Sequence, residues 1–166
     1  MSTAAATTWD YPRKLRDTLL AASGLLMLLM IVTFARHVGA VQPHRDFSLW
    51  LFLHLAAILP AIPLGAVMLL RTKGDRTHRI IGRIWCGLML VAAITSFGLQ
   101  GLTGHLGPIH ILSVITLVAI PRAILAARAG KILQHRRSMT IVYASLLIAG
   151  YFTLLPTRML GRWMLG

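Results

Sequence analysis

The chemistry-bearing side chains of this chain are mostly imidazoles: seven histidines, against one cysteine and four acids in 166 residues. Four of them fall into a pattern. His54 is followed by Arg71 at 17 residues, Gly74 at 20 and His78 at 24, while His110 is followed by Arg128 at 18, Gly130 at 20 and His135 at 25. His78 and His135 are each followed directly by an arginine, Arg79 and Arg136. Histidines that come in pairs, at opposite ends of apolar stretches, suit axial ligation of b-type haem. Haem iron takes a neutral imidazole on each face, and the two ligands must come from facing helices at matching depth. On this reading His54 pairs with His110 and His78 with His135, giving two haem b sites. Ala57, Ala61 and Gly65 share the face of His54 at i+3, i+7 and i+11 and would leave room for a flat macrocycle, as Gly82 would one turn beyond His78. Basic residues near the His78–His135 pair would meet the propionates.

A different chemistry is open to the remaining imidazoles. His37, His44 and His105 fall at the same end as His54 and His110, and such a cluster could hold copper or zinc through imidazole nitrogen. A third reading needs no cofactor. Small residues along one helix face also permit close helix packing, and a His-Arg pair at a helix start also serves as an interface anchor. The chain would then be an accessory or assembly subunit of a larger membrane complex. Met27 and Met30, at helical spacing within an apolar stretch, read as packing.

The elements that must carry these residues are long apolar runs. The chain is 57% hydrophobic and 13% charged, about half the charge of a soluble domain. A membrane-crossing helix needs about 20 mostly apolar residues. Five stretches qualify: helices near 18–36, 47–70, 78–103, 108–128 and 135–160, following a segment 1–17 that precedes the first span. Residues 18–166 thus read as a single all-α integral membrane domain, joined by loops too short to fold alone. Val38-Gly39-Ala40 loosely resembles a signal cleavage site, but the preceding apolar stretch exceeds the 7–15 residues usual for a signal. The first helix is expected to be retained.

Charge sets an expected orientation. Seventeen Lys and Arg stand against Asp10, Asp17, Asp46 and Asp75, with no Glu. One side holds Arg13, Lys14, Arg16, Arg71, Lys73, Arg76, Arg79, Arg83, Arg122, Arg128, Lys131, Arg136 and Arg137; the other holds only Arg36, Arg45, Arg158 and Arg162. The positive-inside rule places the first side, with the N-terminus, in the cytoplasm and the C-terminus in the periplasm. Arg83 and Arg122 lie inside their spans and would snorkel to the cytoplasmic interface. Trp50 and Trp163, and Trp9 with Tyr11, fit the two aromatic belts. Basic clusters used in this way speak against a nucleic-acid partner, despite a pI near 11.8.

Absences narrow the function. No span contains a carboxylate, which disfavours a proton-coupled carrier. No phosphate-binding glycine loop, zinc-protease motif or Gly-x-Ser-x-Gly elbow occurs. Cys86 has no partner for an intrachain disulfide and reads as a small buried hydrophobe. Ser96, Gln100, Tyr143, Ser145, Tyr151 and Thr153 are polar residues in the spans, suited to bridging helices.

The second and third helices, read against the fourth and fifth, form two units of the same direction, related by an axis along the membrane normal. The first helix is expected to stand outside that four-helix core.

The residues that repeat also carry a family resemblance. Leu53-His54, His78-Arg79-Ile80-Ile81-Gly82-Arg83-Ile84-Trp85, Gly107-Pro108-Ile109-His110-Ile111-Leu112-Ser113, His135-Arg136-Arg137-Ser138-Met139 with Tyr143, and Leu155-Pro156-Thr157-Arg158-Met159-Leu160-Gly161 resemble a family of small bacterial multi-pass membrane proteins grouped as a domain of unknown function. The match runs from about Leu53 to Gly161. The chain departs from it at Gly130-Lys131, where members often carry Gly-Asp or Gly-Asn. The resemblance implies a bacterial inner-membrane location and no particular activity. Four histidines near helix ends are more distantly similar to four-helix membrane cytochromes b. That likeness implies electron transfer with a quinone or another membrane redox partner.

Overall fold

The computed structural model describes residues 12–37, 49–71, 73–99 and 107–155, without the side chains of 34 and 37. They form five α-helices: α1 (Arg13–His37), α2 (Leu49–Leu70), α3 (Arg76–Ser96), α4 (His110–Arg128) and α5 (Ile132–Thr153). There is no strand among the described residues. By length and composition α1 to α4 can each cross a bilayer. The fifth differs from expectation. Arg136 and Arg137 sit in its first two turns, and the uncharged run from Ser138 to Thr153 is shorter than a full span within the described residues.

Leu49, Leu70 and Ile111 are more than 60% exposed, and Leu28, Ile31 and Ile148 more than half. Faces so apolar and so open are stable against lipid and would aggregate in water.

Two hairpins organise the bundle, and a glycine makes each turn. Gly74 (φ 87°) follows α2 and Gly130 (φ 71°) follows α4, both in the left-handed region that glycine enters without a Cβ penalty. At the end of α4 the amide of Gly130 donates to the Ala127 carbonyl at 3.2 Å and that of Lys131 to Ala126 at 2.8 Å. This closing pattern satisfies carbonyls that the helix end leaves open. After Gly74, the carboxylate of Asp75 accepts from the His78 amide at 2.6 Å and caps α3. We call this the basic end of the bundle. Here α3 and α5 begin, α2 and α4 finish, and α1 starts at Arg13.

Helix α2 packs along α3, α4 along α5, and α3 against α4. The backbones of the diagonal pairs α2–α4 and α3–α5 make no close approach. Lipid already solvates apolar side chains, so close packing and interhelical hydrogen bonds, at about 0.6–2 kcal/mol each, must hold such helices together. The Trp85 indole donates to the Ala61 carbonyl at 2.9 Å, fixing α3 to α2. Ser96 and Ser113 join α3 to α4, hydroxyl to hydroxyl, at 2.7 Å.

The first helix is part of this core, against expectation. It lies in the seam between α2 and α5, with Leu26 and Ser23 buried. Gly150 admits the Leu26 side chain, and the Tyr151 hydroxyl donates to the Ala22 carbonyl at 2.6 Å. Boundaries moved as well. Helix α1 begins at Arg13 rather than near 18, and α5 at Ile132 rather than near 135, because charge marks the edge of lipid and not the end of a helix. Helix α3 stops at Ser96 rather than near 103, where Phe97 and Gly98 turn and Gly98 lies tight against the Trp50 ring.

Candidate functional site

His54 rises from the second turn of α2, on the side that faces α3. Its Nδ1 donates to the Ala92 carbonyl at 3.0 Å, with the Thr95 hydroxyl at 3.2 Å. His135, in the first turn of α5, uses the same device on α4, with Nδ1 3.0 Å from the Ala123 carbonyl. A proton committed to Nδ1 leaves Nε2 as a lone pair. That is the tautomer in which metal-bound histidines are usually held.

His110 is built differently. It is buried at the start of α4, 8% exposed. Its Nε2 donates to the Ser96 carbonyl at 3.0 Å, and its Nδ1 accepts from the Gly107 amide at 3.0 Å. The ring packs on Phe97, with centroids 5.7 Å apart. Both nitrogens are spent on backbone, so the ring ties α4 to the end of α3. The same sequence signal, an imidazole near the end of a span, thus covers two roles. Only the contacts across the helix ends separate them.

His78 opens α3 at the basic end, and it is close enough to His135 that charge on one would repel charge on the other. They stand on diagonal helices, α3 and α5, whose backbones make no close approach. Two buried polar side-chain atoms among the described residues lack a hydrogen-bond partner: His78 Nδ1 and Arg71 Nε. Arg71 lies in the turn between α2 and α3, and His78 in the first turn of α3. Arg71 reaches Asp75 through its terminal nitrogen at 3.2 Å. Asp75 is held below the usual carboxylate range, first by the His78 amide and then by Arg71. A buried donor and a buried imidazole nitrogen left without partners are expensive unless something satisfies them.

The small-residue face of α2 is occupied in this structure. A Cβ on Gly65 would run into the Tyr143 ring, and Trp85 lies over Ala61 and meets Tyr143 with ring centroids 6.2 Å apart. The Tyr143 hydroxyl donates to the Ile62 carbonyl at 3.1 Å and lies 2.6 Å from the Ser23 hydroxyl, joining α5, α2 and α1. Sequence reasoning took Tyr143 for a bridge and missed that it and Trp85 fill the middle of the bundle. The room expected beside His54 is therefore smaller than the residue types suggested. At the basic end the neighbouring space is held by softer groups. The methyl of Met68 lies 3.5 Å from where a Cβ on Gly82 would be, and Met139 stands one turn beyond His135. Methionine side chains yield readily.

No group of three or more His, Cys, Asp or Glu side chains comes together among the described residues. His44, His105 and the side chain of His37, which the outer-face copper or zinc site needs, lie outside them, as do Gln100, Trp9, Tyr11 and Trp163.

Long lipid-facing helices, glycine hairpin turns and a core of interhelical hydrogen bonds define a multi-pass α-helical membrane protein. More narrowly, residues 51–163 match the family described as "Predicted membrane protein (DUF2306)", and the chain belongs to that family. No curated protein and no solved structure matches it.

Proposed function

We propose that this chain is a bis-histidine haem b protein of the bacterial inner membrane that moves electrons within or across the bilayer. His78 and His135 are the axial ligands we favour. The observation that carries this is the coincidence, at one end of the bundle, of the two orphaned polar atoms with a second imidazole whose Nε2 is free. A zinc site asks for three or four protein ligands, whereas two imidazoles suffice where a macrocycle supplies the equatorial donors. A bound haem would contribute one-electron chemistry.

The residues do the rest. The Ala123 carbonyl fixes the His135 tautomer and raises the basicity of Nε2. Arg71 offers Nε–H to a propionate, and the other basic residues of the turns keep that end electropositive. Met68 and Met139 exclude water. In the proposed orientation this end faces the cytoplasm, the chain crosses five times and the C-terminus is periplasmic. A quinone or a membrane redox protein would be the partner. A second haem between His54 and His110 asks His110 to release the Ser96 carbonyl.

The test is the visible spectrum of the protein purified from haem-supplied cells. A Soret band that disappears in His78→Ala and in His135→Ala is expected. Its absence from the wild type, or its survival in both variants, overturns the reading. The alternative is a cofactor-free accessory or assembly subunit of a larger membrane complex. It is favoured by the way Trp85 and Tyr143 already close the centre of the bundle. A colourless protein that co-purifies with a stoichiometric membrane partner would support it.

A further inference from the structure

A second polar feature includes none of the histidines. Between α4 and α5, on the outside of the bundle, runs a groove of about 490 Å³. Arg122, Arg137 and Gln134 line one part of it; Val114, Val118 and Ile141 line another. Arg122 lies six residues before the end of α4 and Arg137 five after the start of α5, so both sit ~8–9 Å inside the basic end. The apolar lining from α4 lies one and two turns N-terminal to Arg122, deeper in the span. Both arginines are exposed on the lipid side, and neither has an ion pair or hydrogen bond among the described residues. Neither α4 nor α5 holds a carboxylate to neutralise them. Two guanidiniums at headgroup depth, above an apolar groove lined by Val114, Val118 and Ile141, are complementary to one kind of occupant.

We propose that the α4–α5 groove binds an anionic phospholipid, its phosphate between Arg122 and Arg137 and an acyl chain against Val114, Val118 and Ile141. Phosphate satisfies the fork of an arginine in a way that a zwitterionic headgroup, carrying its own cation, does not. The lipid would tie the second hairpin together from outside, where the uncharged run of α5 falls short of a full span within the described residues. None of the four paired histidines takes part, so this inference and the haem reading fail independently.

Native mass spectrometry of the delipidated protein in detergent tests it, with dioleoylphosphatidylglycerol and dioleoylphosphatidylcholine added separately at equal concentration. The wild type should keep one phosphatidylglycerol and little phosphatidylcholine. Arg122→Gln with Arg137→Gln should lower that retention at least about tenfold, since both charge-assisted contacts go. Arg122→Lys should keep part of it, and Arg128→Gln, outside the groove, should keep all of it. Val118→Trp fills the apolar channel without touching charge and should also expel the lipid. Equal retention of the two lipids, full retention in the double variant or in Val118→Trp, or displacement of the lipid by equimolar inorganic phosphate would each overturn the proposal.

Discussion

The Nδ1–H of His54 is given to the Ala92 carbonyl on the neighbouring helix, 3.0 Å away. A helix carbonyl already bonded within its own helix thus takes a second donor, and α2 is pinned to α3 near the end opposite the basic turns. His54→Ala should cost about 1 kcal/mol, or about 2–4 °C in Tm for a chain of this size. It should leave intact a Soret band that depends on His78 and His135. A thermal melt in detergent and a spectrum on the same sample check both. Loss of the band with His54 alone would move the ligand to the other end.

Gly65 is the tightest helix contact around Tyr143. Gly65→Ala sets a methyl into a ring held by hydrogen bonds to Ile62 and Ser23, and should destabilise by about 1–3 kcal/mol. Gly150→Ala meets only the end of a leucine side chain and should cost less. If the two variants melt alike, Tyr143 is not the fixed wedge described above.

Tyr143→Phe keeps the ring and removes the hydroxyl that joins three helices. An expected loss of about 1 kcal/mol should come with looser attachment of α1. Faster proteolysis at the α1–α2 connection, with α2 to α5 protected, is the readout. Uniform protection would mean that α1 is held by apolar packing alone.

Asp75 carries a pH dependence. Its carboxyl is held low, chiefly by the His78 amide and then by Arg71. A group whose pKa is lower folded than unfolded stabilises the fold above its unfolded value, near 3.9, and loses that contribution as pH falls through the folded value. The wild type should therefore melt above Asp75→Ala at neutral pH. The gap should stay nearly constant down to about pH 5 and close below about pH 4. A gap that persists in acid would show that the cap acts without its charge.

Cys86 is the only thiol of the chain and lies buried on α3. Maleimide should label it slowly in the native protein and fast after denaturation in dodecyl sulfate. Fast native labelling would mean that α3 turns another face inward.

Much of this molecule was determined by its sequence alone. Runs of apolar residues near the length of a bilayer define the helices, since backbone groups in lipid must bond within the segment. Gly74 and Gly130, with their basic neighbours, mark the hairpin turns, and residues 51–163 carry the family match. Tertiary structure decided what no spacing encodes. All four histidines look alike in sequence, because each is an imidazole near a helix end. Their nitrogens differ only through what the neighbouring helix presents: a carbonyl to Nδ1 of His54 and His135, backbone on both sides of His110, nothing to Nδ1 of His78. Likewise the stripe Ala57, Ala61 and Gly65 announces close approach but not of what. That Trp85 and Tyr143 fill it, and that α1 lies in the α2–α5 seam, follows from how five helices share one volume.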